Sequence, residues 1–243
     1  MSNNELIRLS KLMSERGICS RREAENFIDL AQVLVDGKII SIQGTKVDRN
    51  AKIQLLKRAE SEISKKVTII LNKPLGYVSN LPEDGYTPAI NLITQENQYK
   101  PEKTLHYSNL KKLAVCGRLD VNSKGLLIFT QDGTIAKKII GENSNLEKEY
   151  IVKFKGKMTD EILKKLKFEL SLDEKKLKPC VVNILQPQIL QMILKEGKKR
   201  QIRRMLELVN LKETSIKRVR VGNILLKDLP VGKWQFLNVF KYF

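Results

Sequence analysis

Asp120 stands in Gly117-Arg118-Leu119-Asp120-Val121-Asn122-Ser123-Lys124-Gly125, a short connector that opens onto the apolar run Leu126-Leu127-Ile128-Phe129-Thr130. That run reads as a buried strand, rich in β-branched and aromatic residues and closed by the Asp132-Gly133 turn. An ionised side chain at the lip of such a strand is costly unless it is paired or used. Asp120 is therefore the candidate reacting group, and a surface pair with Arg118 beside the turn is the plainer reading of the same stretch. Two more groups suit chemistry around a carboxylate. Arg203 and Arg204, in Gly197-Lys198-Lys199-Arg200-Gln201-Ile202-Arg203-Arg204-Met205, can each grip a carboxylate bidentately and hold it ionised. Tyr150 offers a ring for stacking on a base and a hydroxyl for proton transfer. Taken singly, Tyr150 reads as a sheet residue packed into the core, and the arginine run as the RNA-facing start of a helix.

The common catalytic templates are absent. There is no Gly-x4-Gly-Lys-Ser/Thr phosphate loop, no dinucleotide glycine fingerprint opening a helix and no nucleophile elbow. His106 is the only histidine, so mechanisms needing paired histidines fail and no metal site is expected. Cys19, Cys116 and Cys180 are odd in number and widely spaced, which fits free thiols in a reducing cytoplasm.

A formal net charge of +18 and a pI near 9.8 point to a polyanionic partner, because self-repulsion of this size weakens the compact state. Nucleic acid and an anionic membrane surface both qualify. The stretch Met1 to Lys11 lacks the apolar run of a signal peptide, and nowhere do 18 apolar residues follow one another. No segment pairs a basic face with a broad apolar one, so nucleic acid is expected before a membrane partner.

Positioning these groups falls to two domains. Leu6, Leu9, Leu12 and Met13 recur at helical spacing up to Gly17, where a helix C-cap belongs. Ser20-Arg21-Arg22-Glu23 is a capping-box pattern opening a second helix with Ala24, Phe27 and Ile28 on one face. Val33 to Ile40 reads as a hairpin turning at Asp36-Gly37, with further short strands at Val47 and Ile53 to Leu56. Two helices and a small sheet thus occupy residues 1–56. Arg8, Lys11, Arg16, Arg21 and Arg22 cluster there as a phosphate-docking face, or as an ordinary solvated one. Residues 57–66 are charged and aperiodic and read as a linker. Residues 67–243 form the larger domain, with strands at Val67 to Leu71, Tyr77 to Ser79, Glu147 to Phe154, Val181 to Leu185, Gln188 to Leu194, Lys217 to Leu226 and Lys233 to Val239. Helices are expected at Thr134 to Ile140, Thr159 to Leu166 and Gly197 to Leu208. Thr94 to Lys112 reads as a polar surface excursion. Strands outnumber helices without regular βα alternation, so the domain is α+β on a mixed, mostly antiparallel central sheet.

The pattern Leu9-Ser10-Lys11…Gly17…Ser20-Arg21-Arg22-Glu23-Ala24…Val35-Asp36-Gly37-Lys38 resembles the small RNA-binding module first seen in ribosomal small-subunit protein four, over about Glu5 to Lys52. Further on, Lys73-Pro74-x-Gly76, Gly117-Arg118-Leu119-Asp120…Gly125-Leu126-Leu127, Glu147-Lys148-Glu149-Tyr150 and Arg200-Gln201-Ile202-Arg203-Arg204-Met205 follow in order. Together they look like a bacterial ribosomal RNA pseudouridine synthase of the RsuA/RluF branch, and the resemblance spans both domains. It implies that Asp120 is the nucleophile, Tyr150 the active-site tyrosine and Arg203 the basic partner of the aspartate. Ile202 would pack on the base, and Arg118, Leu119, Val121, Arg200 and Gln201 would lie around the extruded nucleotide. It implies isomerisation of uridine without cofactor or metal. The expected substrate is ribosomal RNA, 23S before 16S or tRNA, free or in an assembling subunit. The expected enzyme is cytoplasmic and monomeric. A non-catalytic RNA-binding or ribosome-assembly protein would need the basic surface but not Asp120.

Overall fold

The structure, a computed structural model, describes residues 6–80, 85–101, 110–141 and 144–239. The chain clusters into two compact units, one running to Thr68 and taking in Thr130–Lys138, the other formed by Ile69–Phe129 and the chain from Ile139 onward.

In the first unit, β1 (Leu6–Arg8) leads into α1 (Leu9–Glu15), whose inner face is Leu9, Leu12 and Met13. Gly17, at φ +71°, ends it, with the Ile18 N–H bonding back to the Met13 carbonyl at 3.0 Å. The αL conformation at this point suits glycine. The expected capping box opens α2 (Arg21–Asp29): the Ser20 hydroxyl accepts from the Glu23 N–H and the Glu23 carboxylate accepts from the Ser20 N–H. Then β2 (Val33–Val35) and β3 (Lys38–Ile40) form the expected hairpin, both Asp36 and Gly37 taking positive φ. This is the backbone a two-residue hairpin turn requires. β4 (Lys46–Asp48) pairs with β1, and β5 (Ile53–Leu55) with β2.

The stretch expected as a linker is not irregular chain. It forms α3 (Lys57–Ser64), with Ala59 fully buried and Ile63 packed against the same small core as Phe27 and Ile28. One small and one branched residue four apart are enough apolar face for a short helix. Most of α4 (Gly133–Ile140), expected within the larger domain, clusters with this first unit as well.

The second unit is built on the expected mixed, mostly antiparallel sheet. In chain order come β6 (Thr68–Lys73), β7 (Tyr77–Val78), β8 (Thr87–Pro88), β9 (Ala114–Cys116), β10 (Lys124–Thr130) and β11 (Lys148–Lys155). After α5 (Asp160–Phe168) follow β12 (Ser171–Leu172), β13 (Lys175–Lys176), β14 (Val181–Gln186) and β15 (Ile189–Leu194). Last are α6 (Gln201–Glu207), β16 (Lys212–Val221), β17 (Ile224–Leu225) and β18 (Trp234–Phe236). The main sheet runs β14-β15-β11-β16-β10-β6-β18, with β17 beside β16 and β9 beside β10. Its β14–β15, β15–β11, β11–β16, β16–β17 and β6–β18 pairs are antiparallel, and β10 meets β16 in parallel. Thr159 caps the expected helix α5, its hydroxyl accepting from the Ile162 N–H.

Two further outcomes, both in the second unit, differ from what the sequence leads one to expect. The strand expected from Lys217 begins at Lys212 and turns back at β17. The start of the excursion at Thr94 is tied down by Trp234: its indole N–H donates to the Thr94 carbonyl at 2.7 Å, and its backbone exchanges bonds with Asn97 and Tyr99. His106 lies outside the described residues. Cys19, Cys116 and Cys180 are free and buried, and burial pushes the first two thiols up to about 12 and the third to about 11.

Candidate active site

Asp120 sits on the connector between β9 and β10, and the connector is held from both sides. The Ser79 hydroxyl, just beyond β7, donates to the Leu119 carbonyl at 2.7 Å and accepts from the Leu119 N–H at 2.8 Å. The Gly76 N–H donates to the Val121 carbonyl at 3.0 Å, and the Ser123 N–H to the Asp120 carbonyl at 2.9 Å. Flanked by these bonds, the Asp120 side chain stays 36% exposed, open to an incoming group. Ser79 is buried, so Ser79→Ala leaves two backbone groups of Leu119 without a partner. A loss of about 2 kcal/mol is expected in denaturant unfolding, and a loss under about 0.5 kcal/mol would show that the clamp is dispensable.

The loop that supplies the clamp is stapled by Lys73, the last residue of β6. Its ammonium donates to the Pro74 carbonyl at 2.9 Å and to the Tyr77 carbonyl at 2.8 Å, and none of the side chain is exposed. Burial lowers it from the ordinary 10.5 to about 8; nearby Asp120 opposes the fall and Arg218 adds to it. Because the folded value lies below the unfolded one, the unfolded chain binds more protons between about 8 and 10.5. Stability from this group therefore rises with pH across that window and is flat below it. Relative to Lys73→Met, the wild-type unfolding midpoint is expected to rise from pH 8 to pH 10; a constant or falling difference would contradict the assignment.

Arg203, on α6, brings a cation to the carboxylate. It is 5% exposed, and its Nη2 donates to the Asn122 carbonyl at 2.7 Å and to the Ser123 hydroxyl at 3.2 Å. Its Nη1 is paired with the Glu213 carboxylate of β16. The remaining nitrogen, Nε, is buried, makes no hydrogen bond, and lies 3.5 Å from Asp120 Oδ2. One guanidinium thus ties α6, β16 and the connector together. Removing one member of a mostly buried pair leaves the other charge uncompensated, so Arg203→Met is expected to cost about 3 kcal/mol of unfolding free energy. An unchanged denaturation midpoint would refute that linkage.

Arg218 is the second buried arginine. Its Nε donates to the Leu126 carbonyl at 2.8 Å and its Nη1 to the Arg118 carbonyl at 3.2 Å, fixing both ends of the connector to β16. Tyr150 lies opposite Arg218 on β11, next to a register shift at Glu149/Tyr150. Its half-buried side chain packs against two hydrophobic clusters of the unit, one of which contains Leu119.

The residues expected around a substrate divide by orientation. Arg118 and Arg200 are exposed; Arg200 caps α6 in the left-handed conformation, φ 52°. Val121 is half-buried. Leu119, Gln201 and Ile202 instead turn inward. Leu119 packs with Leu127, Phe129 and Trp234, and Ile202 with Met205 and Leu206. The Gln201 amide is spent inside the protein, donating to Glu196 and accepting from the Lys198 N–H. In the first unit, Arg8, Lys11, Arg21 and Arg22 are exposed. Lys11 and Arg21 make only loose pairs with Glu15 and Glu25, each at 3.7 Å. Exposed pairs of that kind contribute little and yield readily to phosphate. Arg16 is different: its guanidinium donates to the Ala51 and Arg49 carbonyls, which makes it a brace for that turn.

The sequence reading gave no role to Lys73, Ser79, Glu213 or Arg218. Arg218 was open to discovery, since strand alternation puts it on the same face as the buried Ile216. The others meet their partners only through the folded chain.

Residues 67–208 match the RNA pseudouridylate synthase family and residues 7–53 the S4 domain. The dual-specificity RNA pseudouridine synthase RluF of Salmonella typhi is 34% identical over 233 residues, covering 95% of this chain and 75% of that protein. The ribosomal large subunit pseudouridine synthase B of Bacillus subtilis is 30% identical over 232 residues, covering 93% and 89%. A crystal structure of a pseudouridylate synthase, 23% identical, superimposes with a TM-score of 0.65 over 97% of both chains, so the fold is shared. With the family match over residues 67–208, an S4 domain ahead of it and relatives 30–34% identical over most of the chain, this chain belongs to the RNA pseudouridylate synthase family.

Proposed function

We propose that the protein converts uridine to pseudouridine in large-subunit ribosomal RNA, with Asp120 as nucleophile, Tyr150 against the base and Arg203 as the partner that orients the carboxylate. The observation that carries this reading is the Asp120–Arg203 contact at 3.5 Å on a connector held from both sides, beside a carboxylate still open to solvent. The reaction breaks the N-glycosidic bond, turns the uracil and rejoins it through carbon. Nothing is oxidised or reduced and no group is lost, so a carboxylate, a cation and an aromatic surface suffice. Asp120 attacks either the sugar C1′ or the uracil ring, or assists elimination to a glycal; each route needs an ionised, oriented carboxylate.

The target nucleotide must leave its stack, at a cost of a few kcal/mol. Stacking on Tyr150 would return on the order of 1–3 kcal/mol of that. Arg118 and Arg200, both exposed, would meet phosphates beside the flipped nucleotide. In the division of labour we favour, residues 1–56 anchor RNA through Arg8, Lys11, Arg21 and Arg22, α3 packs onto the same small core, and residues 67–243 carry the chemistry. Phosphate contacts of this kind set affinity and register more than base identity.

The large-subunit assignment draws support from the Bacillus subtilis relative, named for that substrate. The test is to incubate the purified protein separately with 23S rRNA, 16S rRNA and tRNA and to map pseudouridine by carbodiimide-dependent reverse-transcription stops. New stops in 23S rRNA are the expected result. Stops confined to 16S rRNA or tRNA would overturn the large-subunit reading, and none in any RNA would overturn the proposed activity.

A further inference from the structure

Arg203 faces two carboxylates. Asp120 is the more exposed, at 36%, and touches only Nε, at 3.5 Å without a hydrogen bond. Glu213 is 18% exposed, and its Oε1 holds Nη1 directly. With Nη2 taken by the Asn122 carbonyl and the Ser123 hydroxyl, both outer nitrogens of the fork are committed inside the protein. A planar guanidinium fixed at two corners has its third nitrogen fixed as well. Its free edge therefore points at Asp120 before any substrate arrives. Without Glu213, Nη1 would be released to turn toward the Asp120 carboxylate that Nε already approaches, and a bidentate grip there would occupy the oxygens that must react.

We propose that Glu213 is a positioning residue for the isomerisation: by holding Arg203 Nη1 it turns Nε toward Asp120 and stops the arginine from closing over the nucleophile. This rests on the role of Asp120 proposed above. The role is geometric, so it requires an acceptor oxygen at the reach of a glutamate and not the negative charge itself. Gln keeps that oxygen in place, Asp keeps the charge but draws it back by one methylene, and Ala removes both.

The experiment is steady-state turnover on 23S rRNA by the full chain, comparing wild type with Glu213→Gln, Glu213→Asp and Glu213→Ala, with RNA binding and thermal midpoints recorded for each. The expected order is Glu213→Gln within about threefold of wild type, Glu213→Asp down about tenfold in kcat, and Glu213→Ala down by on the order of 30-fold or more. KM for RNA should stay within about twofold throughout, because no residue that meets RNA has changed. Wild-type kcat in Glu213→Ala would overturn the proposal while leaving Asp120 untouched. Equal losses in Glu213→Gln and Glu213→Ala would also overturn it, since charge and not position would then govern. Losses that follow the thermal midpoint, or that appear in KM, would reduce Glu213 to a structural residue. An inactive wild type would remove the reading of Asp120 itself.

Discussion

Gly125→Ala is expected to remove a large share of the protein's folding stability. A Cβ at Gly125 would lie 2.2 Å from the Arg218 carbonyl oxygen and 2.8 Å from its nitrogen, both backbone atoms of the facing strand. Neither can swing aside as a side-chain tip would. The residue also sits at φ +106°, outside the region an L side chain adopts easily, which adds about 1–3 kcal/mol by itself. The clash falls where β10 pairs in parallel with β16, at Lys124↔Lys217 and Gly125↔Arg218. Relief therefore means parting β16, which carries Arg218, from β10, which anchors the end of the connector that holds Asp120. A loss of about 4 kcal/mol or more is expected, against a total stability on the order of 5–15 kcal/mol for a native domain. Urea unfolding followed by circular dichroism measures it. A midpoint within about 1 kcal/mol of wild type would mean that the close approach at Gly125 is not a requirement of the fold.

Gly125 illustrates what the sequence makes legible and what it leaves hidden. A glycine before an apolar run marks the end of a connector, but the reason for it, the backbone of a residue 93 positions later, belongs to the assembled sheet. Where pattern and period agree, the elements come out as expected. Ser20 and Glu23 bound a helix, Asp36-Gly37 a hairpin, and the apolar stretch through Phe129 a buried strand. Where an element carries few large apolar residues, its pattern fades. The helix over Lys57–Ser64 rests on Ala59 and Ile63, and the first turns of β16 read Lys-Glu-Thr-Ser, a run with nothing apolar to alternate.

The site divides in the same way. Asp120, Tyr150 and Arg203 stand out because their types suit the chemistry and their motifs follow in order. The orientation of their neighbours does not show in a motif. Leu119 and Ile202 lie next to reactive groups in sequence, yet the pitch of the connector and of α6 turns both into the core. Gln201 looks like a polar recognition residue and is consumed by Glu196 and Lys198. Glu213 sits ten residues from Arg203, across the turn between helix and strand, in a stretch with no motif at all. Spacing of that kind becomes a contact only when the fold supplies the return.

The largest expected effect on turnover belongs to Asp120. Asn is nearly isosteric with Asp, keeps the Ser79, Gly76 and Ser123 bonds to the connector backbone, and removes only the carboxylate. Since the clamp uses main-chain atoms on both sides of position 120, Asp120→Asn should fold as wild type. RNA affinity should persist, because the exposed cations proposed to meet phosphate are unchanged. On the role proposed for Asp120 the variant lacks its nucleophile, and loss of a nucleophile lowers turnover by roughly 10⁴-fold or more. The decisive measurement is thus pseudouridine formed in 23S rRNA by the Asp120→Asn protein at enzyme concentrations that saturate binding. The expected result is RNA bound as tightly as by wild type with no pseudouridine made; turnover within about tenfold of wild type would mean that the reacting group lies elsewhere.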